Sequence, residues 1–203
     1  MNNASVYPNI PVVKFEQVKD CIQSGDILLV SGNSALDKII EKGTTSVWSH
    51  IGLLFNLYSS LIKRIMVMES LITYGVRSIP LDNYLYNYNG SGISFNGKLM
   101  IARYNNFPIM KLPAVITRAI DLLGCHYNTQ DIAEIAMRIA IKHTIGVNMP
   151  GIVKNDKTYI CSEYVSECYK AAGINIPYNS AGYIAPSDFI NCTDIVPLFF
   201  IEN

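Results

Sequence analysis

Two apolar, β-prone runs, His50–Phe55 and Ile65–Glu69, constrain the fold more than any other part of this 203-residue chain. A longer loop joins them, and their simplest pairing is an antiparallel hairpin. With His50 opposite Glu69, Gly52 faces Val67, Leu54 faces Ile65, and Asn56–Arg64 becomes the loop. Cross-strand partners share a face with their Cβ atoms about 4.5–5.5 Å apart. This register therefore sets an imidazole beside a carboxylate at one end of the sheet. A one-residue slip would bring Met68 or Ser70 there instead, because side chains alternate along a strand.

Around the hairpin, further short elements can be read. Asp26–Val30 has the look of a buried strand closed by Ser31-Gly32-Asn33, and Leu99–Tyr104 and Ile195–Ile201 supply more strands. Helical spacing marks Phe15–Gln23 through Phe15, Val18 and Ile22. Ala35–Lys42 reads as a helix with Ser34 as N-cap and Gly43 as its stop. Ala114–Leu123 and Asp131–Lys142 follow, and after a Pro150-Gly151 turn a last helix starts at Cys161 and ends at Gly173. No repeat, linker or low-complexity block divides the chain. The expectation is one α+β domain over residues 1–203, an antiparallel sheet packed against helices, with residues 1–13 as a flexible N-terminal segment.

Composition narrows the function. Half of the residues are hydrophobic and 16% are charged, a globular balance. Lys+Arg and Asp+Glu both number 16, so the basic excess of a dedicated nucleic-acid binder is missing, and no nucleic-acid partner is expected. Five cysteines at irregular spacing make no disulfide framework and no metal-site pattern. The polar start, Met1–Asn9, lacks the pattern of a signal peptide. No uncharged apolar run reaches the roughly 18 residues of a membrane span. The chain reads as soluble and cytoplasmic.

The chemistry points to Cys161. It stands where a helix begins, in Tyr159-Ile160-Cys161-Ser162-Glu163-Tyr164. A helix N-terminus offers unpaired N–H groups and the positive end of the macrodipole, which favour thiolate over thiol. A cysteine at a helix start with a histidine on a strand is the layout of papain-like thiol hydrolases. Here the histidine, His50, comes first in the chain, the reverse of the usual order. Cys161 would be the nucleophile, His50 its base, and Glu69 the acid that orients the imidazole. Other candidates have plainer readings. Cys168 repeats the helical face of Cys161 and reads as core. Cys21 and Cys192 carry no supporting pattern. Cys125 and His126 are adjacent and so point apart. His143 lies on the polar side of its helix. The stripe of Ile132, Ile135, Ala136 and Ile139 reads as a core face, with a lipid-contacting lid as the alternative.

Several short motifs follow one another in order. They are Gly25-Asp26-Ile27-Leu28, Ser49-His50-Ile51-Gly52, Met68-Glu69-Ser70 with Tyr74–Leu81, Leu123-Gly124-Cys125-His126-Tyr127, Cys161-Ser162-Glu163-Tyr164-Val165 and Ala185-Pro186-Ser187-Asp188-Phe189. In that order they resemble the circularly permuted branch of the NlpC/P60 papain-like superfamily. That branch contains the bacterial YiiX-like hydrolases and the lecithin–retinol acyltransferase-like enzymes. Glu69–Leu81 and Cys161–Gly173 look especially like its poxvirus-encoded members. The resemblance implies a permuted papain-like fold with the nucleophile at a helix N-terminus, and the same triad of Cys161, His50 and Glu69. Acyltransferase-like relatives tend to carry a second histidine where Glu69 stands, and their Asn-Cys-Glu-His sequence is missing here.

The expected activity is cleavage of an amide or ester through a thioester acyl-enzyme. Backbone N–H groups at the start of the Cys161 helix would serve as oxyanion donors, with Ser162, Tyr127 and Ser49 lining the oxyanion site and cleft. No cofactor or metal is required. The substrate is read as a peptide or an N-acyl or ester lipid, the latter with peripheral membrane contact. A viral member would work in the host cytoplasm or virion. The reading from another class is a lipid-binding or virion-structural protein that keeps the fold without turnover.

Overall fold

The strand Ile27–Ser31 (β2) is buried along its whole length, and the rest of the molecule is arranged about it. The computed structural model describes residues 7–127 and 158–202. The other strands are β1 (Val12–Lys14), β3 (His50–Tyr58), β4 (Lys63–Leu71), β5 (Gly75–Pro80), β6 (Lys98–Tyr104) and β7 (Ile195–Glu202). They form one seven-stranded sheet in the order β1-β7-β6-β2-β3-β4-β5. Every pairing is antiparallel except β1 with β7, which is parallel. The helices are α1 (Phe15–Val18), α2 (Ala35–Thr44), α3 (Leu81–Tyr86), α4 (Leu112–Asp121), α5 (Cys161–Lys170) and α6 (Pro186–Ile190).

Both faces of the sheet are covered, which explains why its central strands read as continuous apolar runs rather than alternating ones. Leu29, Ile51, Leu53, Met68 and Met100 pack on one face against Val115 and Ala119 of α4 and Tyr164, Val165 and Cys168 of α5. Leu28, Val30, Leu54, Val67, Leu99 and Ile101 pack on the other against Phe15 of α1 and Leu81, Tyr84 and Leu85 of α3. Each such Val, Leu, Ile, Met or Phe side chain, fully buried, contributes about 1.5–3 kcal/mol. The Gly25-Asp26 motif has a structural task. Gly25 turns the chain at φ +96°, and Asp26 accepts hydrogen bonds from Arg103 at 2.6 and 2.8 Å and from the Gln23 N–H at 2.8 Å.

Several expectations need correction. The β3–β4 pairing is Leu54 with Val67 and Asn56 with Ile65, two residues away from the register expected from sequence. The strands run on to Tyr58 and Lys63, and a four-residue turn closed by Ser59 N–H to Ile62 O at 2.8 Å replaces the longer loop. A slip of two keeps every side chain on its face, so His50 and Glu69 still share one, now as diagonal neighbours. α2 does not stop at Gly43 but runs to Thr44 and ends on Thr45, which takes the left-handed conformation at φ 52°. Its N-cap is Ser34, as expected, with Asp37 completing a capping box. The helix read over Phe15–Gln23 is only α1 followed by a 3-10 turn at Lys19–Cys21.

The N-terminal segment is not loose throughout. The Tyr7 ring stands 5.9 Å from that of Trp48, whose indole N–H donates to the Tyr7 hydroxyl at 3.1 Å, and β1 pairs with β7. The strand β5 and helix α3 have no counterpart in the sequence reading. The helix expected over 131–142, its apolar stripe and His143 lie outside the described residues. Among the described residues no helix is long and apolar enough to cross a membrane.

Candidate active site

Two flanking segments hold the start of α5 in place. The Tyr159 N–H donates to the His126 carbonyl at 3.1 Å, and the Ser70 hydroxyl of β4 donates to the Tyr159 carbonyl at 2.7 Å. Two residues later the helix begins with Cys161, 5% exposed. Its first intrahelical bond runs from Tyr164 N–H to Ile160 O at 3.0 Å. The N–H groups of Cys161 and Ser162 precede that bond, and a first turn ordinarily leaves such groups without an acceptor inside the helix. The Glu163 carboxylate accepts from the Ile160 N–H at 3.4 Å. Ser162 does not line the cleft with its side chain. It is fully buried, and its hydroxyl donates to the Ile184 carbonyl at 2.7 Å, tying the helix to the segment that leads into α6.

His50 opens β3 opposite Val30 of β2, with Glu69 diagonal to it on β4. Gly52 clears the space between them. A Cβ added there would stand 2.7 Å from Val67 Cγ1 and 3.6 Å from Glu69 Cβ. The imidazole Nε2 lies 2.8 Å from Glu69 Oε2. Two acceptors cannot face each other, so Nε2 carries the proton and Nδ1 is the nitrogen left for the Cys161 thiol. Burial disfavours the charged imidazole. The Cys161 thiolate, by charge and hydrogen bond, and then Glu69 outweigh it and push His50 up to about 10.

Glu69 is 0% exposed. Burial alone would raise its carboxyl, but hydrogen bonding and charge from His50, the charge of Arg77 and a hydrogen bond from Tyr84 hold it below the usual carboxylate range. Arg77 Nε donates to Oε1 at 2.9 Å, and the Tyr84 hydroxyl donates to Oε2 at 2.6 Å. Neither residue was given a role from sequence. Leu81, Tyr84 and Leu85 do have helical spacing, the one signal that could have found α3. For Arg77 there was no such signal.

Above these groups lies a cleft of about 690 Å³ whose lining includes Cys161, His50, Ser49, Ser70 and Tyr127. Ser49 contributes little free chemistry, since its hydroxyl accepts from the Gly32 N–H at 3.0 Å and donates to the Val30 carbonyl at 3.4 Å. Tyr127 follows directly on the His126 bridge to Thr158. The remaining cysteines stand apart. Cys168 is 0% exposed, and Cys21 is on the surface. His126 is exposed beside the half-buried Cys125 and does not line the cleft. Among the described residues no group of three or more His, Cys, Asp or Glu side chains is placed to hold a metal ion.

Comparison with known proteins agrees with this architecture. Residues 21–184 match the family described as permuted papain-like amidase enzymes, YaeF/YiiX, C92 family. Among solved structures the chain is similar to that titled metalloprotein yiiX from Escherichia coli O157:H7. The TM-score is 0.61 at 17% identity, over 87% of this chain and 96% of that one. At that identity the likeness shows the fold alone. No curated protein matches the chain in sequence.

Proposed function

Because this chain belongs to the family of permuted papain-like amidases of the YaeF/YiiX type, we propose that it cleaves an amide or ester bond through Cys161, His50 and Glu69. One observation carries the reading. A single imidazole is held by a buried carboxylate through Nε2 and interacts, by charge and hydrogen bond, with a cysteine at a helix N-terminus.

The steps follow from that arrangement. His50 Nδ1 takes the proton of the Cys161 thiol, and the thiolate attacks the substrate carbonyl carbon. The N–H groups of the first turn of α5 donate to the oxyanion. As the tetrahedral intermediate collapses, the imidazolium gives its proton to the leaving nitrogen or oxygen, and a thioester remains on Cys161. Water, deprotonated by His50, then releases the acid. Glu69 holds the ring in orientation and stabilises its charged form throughout. The substrate is a peptide or an N-acyl or ester lipid. The likeness to poxvirus-encoded members is part of the same proposal and rests on the motifs alone.

The test is alkylation by iodoacetamide from pH 5 to 9, with each cysteine followed by peptide mass spectrometry and His50→Ala alongside. Cys161 is expected to label fast well below the ordinary thiol pKa of about 8.5, and to lose that rate in the variant. Labelling no faster than that of Cys21, unchanged by the mutation, would leave the non-catalytic reading in front. A panel of peptide and N-acyl amides, screened by intact mass for an acyl adduct on Cys161, then separates the substrate classes.

A further inference from the structure

A buried carboxylate that orients a catalytic imidazole has two ways to fail. It can turn an oxygen elsewhere, or it can take up a proton itself. Glu69 is protected against both. An ionised carboxylate has about four lone-pair sites, and four contacts meet it here. Oε2 receives His50 Nε2 at 2.8 Å and the Tyr84 hydroxyl at 2.6 Å. Oε1 receives Arg77 Nε at 2.9 Å and the Arg77 Nη2 ion pair at 2.8 Å. The donors come from three different elements, β3, α3 and β5.

We propose that Arg77 and Tyr84 are positioning residues, which saturate the Glu69 carboxylate so that it grips His50 at Nε2 and leaves Nδ1 turned to Cys161. This rests on the catalytic reading above and adds to it the groups that make the triad hold one geometry and one charge state.

Both residues are themselves fixed. The Arg77 guanidinium lies 4.4 Å from the centre of the Tyr74 ring, and its Nη2 donates to Asn89 Oδ1 at 3.1 Å. Tyr84 is 1% exposed and its ring packs against those of Tyr88 and Phe95 at 5.0 and 5.5 Å. Burial, then the Glu69 charge, keep the Tyr84 phenol well above its ordinary range, so it stays a donor. The titratable and charged groups felt at this centre are His50 on β3, Arg77 on β5, Tyr84 on α3, Tyr88 just after it, and Cys161 and Tyr164 on α5. Arg77 is the one permanent cation among them. Without it Glu69 would keep a single cationic neighbour, the imidazolium, in full burial. Its carboxyl would then rise, because burial would be opposed by fewer favourable charges. Once Glu69 is protonated the imidazolium loses its anion, and the Cys161 thiolate in turn loses its cation.

The experiment is the pH profile of Cys161 alkylation by iodoacetamide in the unmutated chain and in Arg77→Gln, Arg77→Lys and Tyr84→Phe, with thermal unfolding of each. The acid limb is expected to move up by about one to three units in Arg77→Gln, by less in Tyr84→Phe, and to return most of the way in Arg77→Lys. Tyr84→Phe keeps the ring, and Arg77 is partly exposed, so both chains should fold. In ¹⁵N-labelled protein, whose three histidines give a simple spectrum, the His50 ring shifts report which nitrogen holds the proton. They should lose their single protonation pattern in Arg77→Gln. Lowered melting temperatures with an unmoved acid limb and unmoved His50 shifts would make both residues merely structural and overturn the proposal. An unactivated Cys161 in the unmutated chain would instead overturn the catalytic reading first, and the positioning roles with it.

Discussion

Cys161 and Cys168 stand on the same helix, seven positions apart and both buried, yet their surroundings differ. Cys161 is in the first turn, beside the positive end of the helix and the His50 ring. Cys168 lies two turns on, inside the core between the sheet and α4, where burial pushes its thiol up to about 12 despite a hydrogen bond to Tyr164. Neither residue type nor burial separates the proposed nucleophile from a core filler here. The difference is what lies beside the sulfur: an imidazole for Cys161, apolar side chains and a tyrosine for Cys168.

Mutation can erase that contrast or sharpen it. The largest effect is expected from Cys161→Ser, which should lower turnover of an identified substrate by about 10⁶-fold with little change in melting temperature, while Cys168→Ser leaves turnover intact. Glu69→Gln comes next. Breaking a buried ion pair from one side costs about 3–5 kcal/mol, a loss to be read from urea unfolding.

The same two titrating groups shape stability against pH. The Glu69 carboxyl is held below its usual value of 4.5, so its contribution is present above pH 4.5 and lost as pH falls through the folded value. His50 is raised from 6.5 to about 10, so its contribution is full below pH 6.5 and lost as pH rises towards 10. Urea midpoints should be highest between those limits. The acid slope should flatten in Glu69→Gln and the alkaline slope in His50→Ala.

His50→Ala should also slow Cys161 alkylation at pH 6 by about 10²-fold, as the thiol loses the base that takes its proton, with Cys168 unaffected. Gly52→Ala is a smaller perturbation. Its Cβ would meet Val67 Cγ1 at 2.7 Å, an overpacking of about 1–3 kcal/mol read by melting temperature and by a modest fall in Cys161 labelling. His126→Ala should change neither labelling nor stability within error. A large effect there would mean that the Cys125-His126 pair matters after all.

How much of this site could be read from sequence depends on how local its signals are. The runs around His50 and Glu69 and the helix start at Cys161 are visible in a few residues each. The observed register of β3 on β4 differs by two from the one expected because the strands continue through Asn56–Tyr58 and Lys63–Arg64, residues of mixed polarity that resemble a loop. The error preserved the face, which is why His50 and Glu69 were still brought together. β5 was missed for a different reason. Its two large apolar residues, Val76 and Ile79, are three apart, a spacing that suits a helix face and not the alternation of a strand. Ser162 is next to Cys161 in sequence, but one step along a helix turns a side chain by about 100°, and its hydroxyl donates to Ile184 instead of lining the cleft.

By itself, then, the sequence determined the α+β class, the strand and helix that carry His50 and Cys161, and the acid that accompanies them, because periodicity and helix-start signals are properties of neighbouring residues. Only the tertiary structure decided that Arg77 and Tyr84 close on Glu69, that Cys161 and not Cys168 meets an imidazole, and that Ser162 faces inward. Those contacts join β3, β4, β5, α3 and α5 across long stretches of chain. Which side chains meet there is set by how the elements pack, and no local pattern encodes it.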